Sequence, residues 1–99
     1  MPVGEFKNNF FEGKGKYVYK NGNIYEGEFY QDLFHGKGTF YFKDGDKYEG
    51  DWKNDLKDGH GVFYNKNGNK NEGMFKNGRP VGIHVKTLAN GIVKHIKFK

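Results

Sequence analysis

Residues 24–69 carry one 23-residue phrase twice, IYEGEFYQDLFHGKGTFYFKDGD and then KYEGDWKNDLKDGHGVFYNKNGN. Gly27, Gly36, Gly38 and Gly45 recur as Gly50, Gly59, Gly61 and Gly68, and Tyr25, Phe29 and Phe40 recur as Tyr48, Trp52 and Phe63. The lattice runs back through Gly4, Phe6, Gly13, Gly15, Tyr17 and Gly22, and forward through Gly73, Phe75, Gly82, Gly91 and Phe98. A fixed period with a fixed residue type at each phase marks a stacked-repeat architecture, in which each unit buries its apolar face only against its neighbours. Such a pattern describes a scaffold rather than a catalytic site.

Within each copy the residue types alternate. Tyr25, Gly27 and Phe29 share one side with Glu26 and Glu28 opposite; Gly36, Gly38, Phe40 and Phe42 share a side with Lys37, Thr39 and Tyr41 opposite. Period-two alternation is a strand signal. Each repeat therefore reads as two strands, with rings lying over glycines on one face, where flat side chains cover otherwise bare backbone. Strand A reaches strand B through about six residues (KNNFFE, YQDLFH, KNDLKD, KNGRPV), and strand B reaches the next strand A through KNGN, KDGD, KNGN and ANGI. A two-residue hairpin at the second set would put adjacent aromatic faces on opposite sides. A type I turn closed by a left-handed glycine at Gly22, Gly45, Gly68 and Gly91 keeps one common face. The same register sets Glu5 against Lys14, Glu28 against Lys37 and Asp51 against His60 on the polar side.

The chain therefore reads as all-β: a single-layer antiparallel meander of nine strands in stacked hairpins, forming an elongated open sheet. Residues 1–99 make one repeat domain. It has a partial first repeat (4–23), strong repeats (24–46 and 47–69), a degenerate repeat (70–92) and a terminal strand (93–99). In the degenerate repeat Asn71 replaces the tyrosine, His84 the second glycine and Lys86 the aromatic, and Arg79-Pro80 enter the loop. Its apolar Ile83 and Val85 fall on the face that is polar earlier. A capping unit and a contact surface both account for that stripe.

Composition limits the chemistry. Hydrophobic residues make up only 34% and charged residues 29%, values that suit a disordered chain, but the 18% aromatic residues and 16 glycines are locked in phase. Without cysteine there is neither a disulfide nor a thiolate metal site, which permits a reducing cytoplasmic setting. No apolar run approaches a membrane span and no signal peptide is visible. The four histidines, His35, His60, His84 and His95, stand 25, 24 and 11 residues apart and read as surface or loop-packing residues rather than metal ligands. Gly-Lys-Gly at 13–15 and 36–38 lacks the Lys-Ser/Thr and helix of a phosphate loop. Asp44-Gly45-Asp46 and Asn67-Gly68-Asn69 lack the ligand spacing of a calcium loop and read as turns. There is no serine and no nucleophile–base pair, so no enzyme and no cofactor is expected. The aromatics occupy packing phases, which weighs against nucleic acid.

The segments YEGEF…HGKGTF and YEGDW…DGHGVF, with the turn that follows each, resemble MORN (membrane occupation and recognition nexus) repeats, and the resemblance covers nearly the whole chain. It implies scaffolding, tethering to membrane or cytoskeleton, and docking of a partner's peptide or helix along a groove. The family is not an enzyme family in itself, although its repeats sometimes precede catalytic domains.

Two functional readings follow. The first is a non-catalytic scaffold or adaptor, cytoplasmic or associated with membrane or cytoskeleton. It docks a peptide, helix or cytoskeletal partner on an aromatic–glycine groove formed by Tyr25, Phe29, Phe40, Phe42, Tyr48, Trp52, Phe63 and Phe75. The second is a peripheral phospholipid-binding module that uses Lys70, Lys76, Arg79, Lys86, Lys94 and Lys97. Residues 70–99 carry seven basic residues against one acid, a balance that attracts anionic lipid or an acidic partner. The last strand would also be an open edge. Ile96 and Phe98 on it, and Ile83 and Val85 beside it, are expected to contact a second copy or a partner's strand or helix.

Overall fold

In a computed structural model, described for the backbone of residues 2–7 and 10–99 and for side chains from Glu12 onward, the chain folds into nine strands. They are β1 (Pro2–Lys7), β2 (Phe10–Val18), β3 (Ile24–Tyr30), β4 (Leu33–Tyr41), β5 (Lys47–Lys53), β6 (Leu56–Tyr64), β7 (Lys70–Lys76), β8 (Arg79–Thr87) and β9 (Val93–Phe98). Each pairs antiparallel with the next, in the order β1 to β9, as one open meander. The molecule measures 47 × 27 × 17 Å, longest in one direction as a stack of hairpins requires. No helix occurs among the described residues.

The turns that lead from β2, β4, β6 and β8 have the expected form. At the second of them the Gly45 N–H donates to the Phe42 carbonyl (3.0 Å) and the Phe42 N–H to Asp46 (2.9 Å). Gly45 has φ +105°, a conformation only glycine adopts freely. Gly22, Gly68 and Gly91 repeat it. Side chains then join successive turns: Asn23 accepts the Lys43 N–H (2.9 Å), Asp46 that of Lys66 (2.8 Å) and Asn69 that of Ala89 (3.0 Å).

The other set of turns departs from expectation. In place of six-residue loops the chain makes two-residue turns at Gln31-Asp32, Asn54-Asp55 and Asn77-Gly78, all with positive φ. They are closed by Tyr30↔Leu33, Lys53↔Leu56 and Lys76↔Arg79. Two left-handed residues are the type I′ geometry that matches strand twist. The remaining loop residues belong to the strand. Between Phe29↔Phe34 and Gly27↔Gly38, residues 35–37 stand against Glu28 alone. The bulge adds an even number of residues, so the common face survives.

The bulge also corrects the polar pairs. Glu28 accepts the backbone N–H of Lys37 (3.2 Å), and Asp51 that of His60 (3.3 Å), rather than pairing with those side chains. The Lys37 ammonium crosses instead to Asp51 on the next hairpin (2.7 Å), and His60 Nε2 meets Glu72 (2.9 Å). The Glu5–Lys14 pair lies outside the described residues.

The core is one layer of rings on one face. Tyr25 and Tyr48 are fully buried, and Phe29, Phe34 and Trp52 nearly so. A Cβ placed on Gly38 would fall within the Tyr25 ring, and one on Gly61 within the Tyr48 ring. Neither glycine has positive φ, so here glycine is required for space rather than for backbone freedom. Each tyrosine also meets edge-on the aromatic four residues ahead and the one on the next hairpin: Phe29 (5.1 Å) and Trp52 (5.5 Å) for Tyr25, Trp52 (5.3 Å) and Phe75 (5.5 Å) for Tyr48. Trp52 Nε1 donates to the Gly38 carbonyl (3.1 Å), which ties ring and glycine together.

Trp52→Ala should cost about 3–5 kcal/mol, as truncation of a buried aromatic does. Gly38→Val and Gly50→Val should be comparably severe, because the added side chain meets a ring or the facing backbone. Thermal melting measures both, and a Gly38→Val protein that melts within a degree or two of the parent contradicts the ring-over-glycine packing.

Candidate docking face

Outside the buried ladder, the same face carries a second set of rings. Tyr17, Tyr19, Phe40, Phe42 and Phe63 pack against the core but stay half-exposed, as does Phe75, which itself continues the ladder from Tyr48. Tyr19 lies 5.5 Å from Phe40, Phe40 4.8 Å from Phe42, and Phe42 6.1 Å from Phe63, so the strip runs continuously across the hairpins. Its positions follow from the repeat: Tyr17, Phe40 and Phe63 hold one phase, and Tyr19 and Phe42 another.

The eight rings expected to form a docking groove therefore divide. Tyr25, Phe29, Tyr48 and Trp52 are core residues with at most 8% exposure, and burial leaves them no surface for a partner. Phe40, Phe42, Phe63 and Phe75 remain accessible. Burial pushes the Tyr48 hydroxyl up to about 12, helped by the charge of Asp51, and pushes the Tyr25 hydroxyl well above its ordinary range. Both stay protonated. Tyr25 donates to the Glu28 carbonyl (2.9 Å), whereas the buried Tyr48 hydroxyl meets no hydrogen-bond partner among the described residues.

Two residues of this face were missed in the sequence. Phe34, assigned to a loop, stacks on Tyr25 with centroids 3.7 Å apart and planes 6° from parallel. One repeat later Lys57 takes its place, with the ammonium 4.4 Å from the Tyr48 ring centroid and 5.4 Å from that of Phe75. Burial lowers the Lys57 pKa. The signal was there in the shared phase of Phe34 and Lys57, but it was hidden by reading both as loop.

The degenerate repeat is a compensated exchange. His84 is 1% exposed within β8, against the expectation of a surface or loop-packing histidine. It occupies the phase of Gly38 and Gly61, and Asn71 that of Tyr25 and Tyr48, so a ring is lost from one strand and regained from the next. The histidine ring lies over Gly73. Its Nε2–H donates to the Met74 carbonyl (2.9 Å), the position that accepts the Tyr25 hydroxyl two repeats earlier, and Nδ1 faces the Asn71 amide (3.1 Å). It meets Phe75 at 5.2 Å and Phe98 at 4.8 Å, both edge-on, continuing the ladder to β9. Of the other histidines, His35 sits within β4 beside Tyr30 (5.6 Å), while His60 and His95 are exposed on strands.

The six C-terminal cations do not gather on one plane. Lys86 and Lys94 pair in register on the aromatic face, Lys97 lies across from Ile83 on the other, and Lys76 and Arg79 flank a hairpin end. Lys70 approaches Glu72 at 3.9 Å. Ile83 is 61% exposed with Val85 half-buried beside it, whereas Phe98 is engaged by His84.

The open meander with rings over glycines defines a β-repeat module. The MORN repeat model matches residues 3–24, 25–47, 48–70 and 72–92, and the chain belongs to the MORN repeat family. These repeats are generally protein- or membrane-binding modules without catalytic activity of their own. No curated protein matches the chain.

Asn71→Tyr alone should drive a phenol into the His84 ring, and His84→Gly alone should leave a cavity, each costing about 2–4 kcal/mol. The double variant rebuilds the Tyr–Gly arrangement and should recover most of the loss. Denaturant unfolding of all four proteins measures the coupling, and additive losses contradict the exchange. Lys57→Phe should raise the melting temperature, since it removes a half-buried charge and restores an aromatic stack of about 0.5–1.5 kcal/mol.

Proposed function

We propose that the protein is a non-catalytic adaptor that docks a protein partner on the half-exposed ring strip. The observation that carries this reading is the continuity of Tyr19, Phe40, Phe42 and Phe63 on the open side of a one-layer sheet. Large rings that already lie fixed in a packed array lose little conformational freedom on binding, and they bury much area for an extended or helical segment. The alternative, attachment to anionic phospholipid, calls for cations that reach one plane together. Their division between two faces and a hairpin end favours the protein partner. The exposed Ile83 and Val93, beside the open edge of β9, support a second contact at the C-terminal end with a partner's strand or another copy.

Phe42→Asp/Phe63→Asp should leave melting within a few degrees of the parent, because neither ring belongs to the buried ladder. It should weaken capture of the partner at least tenfold. Undiminished capture would overturn the docking reading. Binding to anionic liposomes that falls steeply with salt would favour the lipid alternative. Sedimentation of the parent and Ile83→Lys at several concentrations tests the end contact between copies.

A further inference from the structure

Tyr17 on β2, Tyr19 just beyond its end and Phe34 on β4 wall a recess of about 360 Å³ on the aromatic face, and Asp32 and Asp55 line it as well. Tyr17 meets Tyr19 at 4.7 Å and 54°, and Phe34 at 6.4 Å and 73°, so ring surfaces of different orientation border the same space. The two aspartates are the second residues of neighbouring type I′ turns, with φ of 69° and 70°. The backbone holds Asp55 in place. Its N–H donates to the Phe34 carbonyl (3.0 Å), and its Oδ1 accepts the Phe34 N–H (2.7 Å), a bond that uses one of the two carboxylate oxygens. Burial, then the charges of Tyr17 and Asp55, push the Tyr19 hydroxyl above its ordinary range.

Electron-rich ring faces beside two carboxylates form a seat for a cation. We propose that this recess receives a lysine or arginine side chain of a protein partner, an inference that rests on the docking reading and names the chemistry of its occupant. The molecule already seats one cation on this face: the Lys57 ammonium lies over Tyr48 and Phe75. The same lysine closes the equivalent space in the following repeat. One repeat further on, a positive charge stands at the Phe34 phase and Gly78 at the Asp55 phase, so the equivalent space repels a cation. Repeat 24–46, which supplies Asp32 and Phe34, holds five acids against two bases and steers a basic segment toward the recess. A choline headgroup shares the positive charge but has no N–H to donate. The carboxylates therefore select an ammonium or guanidinium.

The test is an NMR titration of the ¹⁵N-labelled chain with three probes in separate arms. They are a capped heptapeptide of alternating glycine and lysine, its glutamine counterpart, and phosphatidylcholine vesicles. The lysine peptide should shift the amides of Tyr17, Tyr19, Asp32 and Asp55 saturably, and the other two probes should not. Asp32→Asn/Asp55→Asn should weaken the peptide about tenfold. Asparagine keeps both the left-handed turn and the acceptor for Phe34, and an otherwise unchanged spectrum verifies the fold. Tyr19→Leu, which keeps the charges and removes a ring, should weaken it as well. Equal response to lysine and glutamine peptides, response to vesicles alone, or unchanged peptide binding by the double asparagine variant overturns the proposal. A partner lost with Phe42→Asp/Phe63→Asp but held undiminished by the asparagine variant overturns only the cation seat and leaves the docking reading standing.

Discussion

A tyrosine ring laid over glycines is the contact on which the rest of the molecule depends. A one-layer sheet has no second sheet or helix to bury its apolar face, so the backbone itself must be covered by side chains from the same face. Tyr25 and Tyr48 do this by reaching over Gly38 and Gly61 on the facing strand, and Trp52 wedges edge-on between the two tyrosines, with Phe29 edge-on to Tyr25 and Phe75 edge-on to Tyr48. Each ring needs a glycine beside it and a ring on the next hairpin. This accounts for a 23-residue phrase in which aromatic and glycine phases repeat together. It also accounts for His84, which supplies a ring from the opposite strand where Asn71 withholds one, and which keeps the ladder unbroken to Phe98.

That requirement separates buried rings from accessible ones on a single face. The rings that cover glycine are buried and have no surface to offer, while those at the neighbouring phases rest against them half-exposed. The buried row sets the positions of the half-exposed row, whose rings also meet one another. Charge is then added repeat by repeat. Asp32 and Asp55 stand beside Tyr17 and Tyr19, Lys57 lies over Tyr48 and Phe75, and Lys86 pairs with Lys94, so the repeats present unlike surfaces on a uniform frame.

Much of this frame was legible in the sequence because alternation and parity are arithmetic. One common face demanded an odd turn at Gly45 and its equivalents, and the structure has it. The opposite turns were misread because Gln31-Asp32 and Asn54-Asp55 lack the glycine that announces a type I′ turn; only Asn77-Gly78 carries it. Counting those residues as loop hid the bulge at residues 35–37, and with it Phe34 and Lys57. The proposed docking residues were half legible. Period-two patterning tells which face a ring is on, but not whether a neighbour covers it, so Tyr25 and Phe42 looked alike. Asn71 and His84 were read as two separate losses because their relation exists only across the β7–β8 pairing.

The central claim concerns proximity between specific protons, and nuclear Overhauser spectroscopy measures that directly. The account predicts strong contacts from the Tyr25 ring to the Gly38 Hα protons and from the Tyr48 ring to those of Gly61, and in the last repeat from the His84 ring to those of Gly73. A folded sheet in which these three contacts are missing, with the tyrosine rings in solvent, would contradict it.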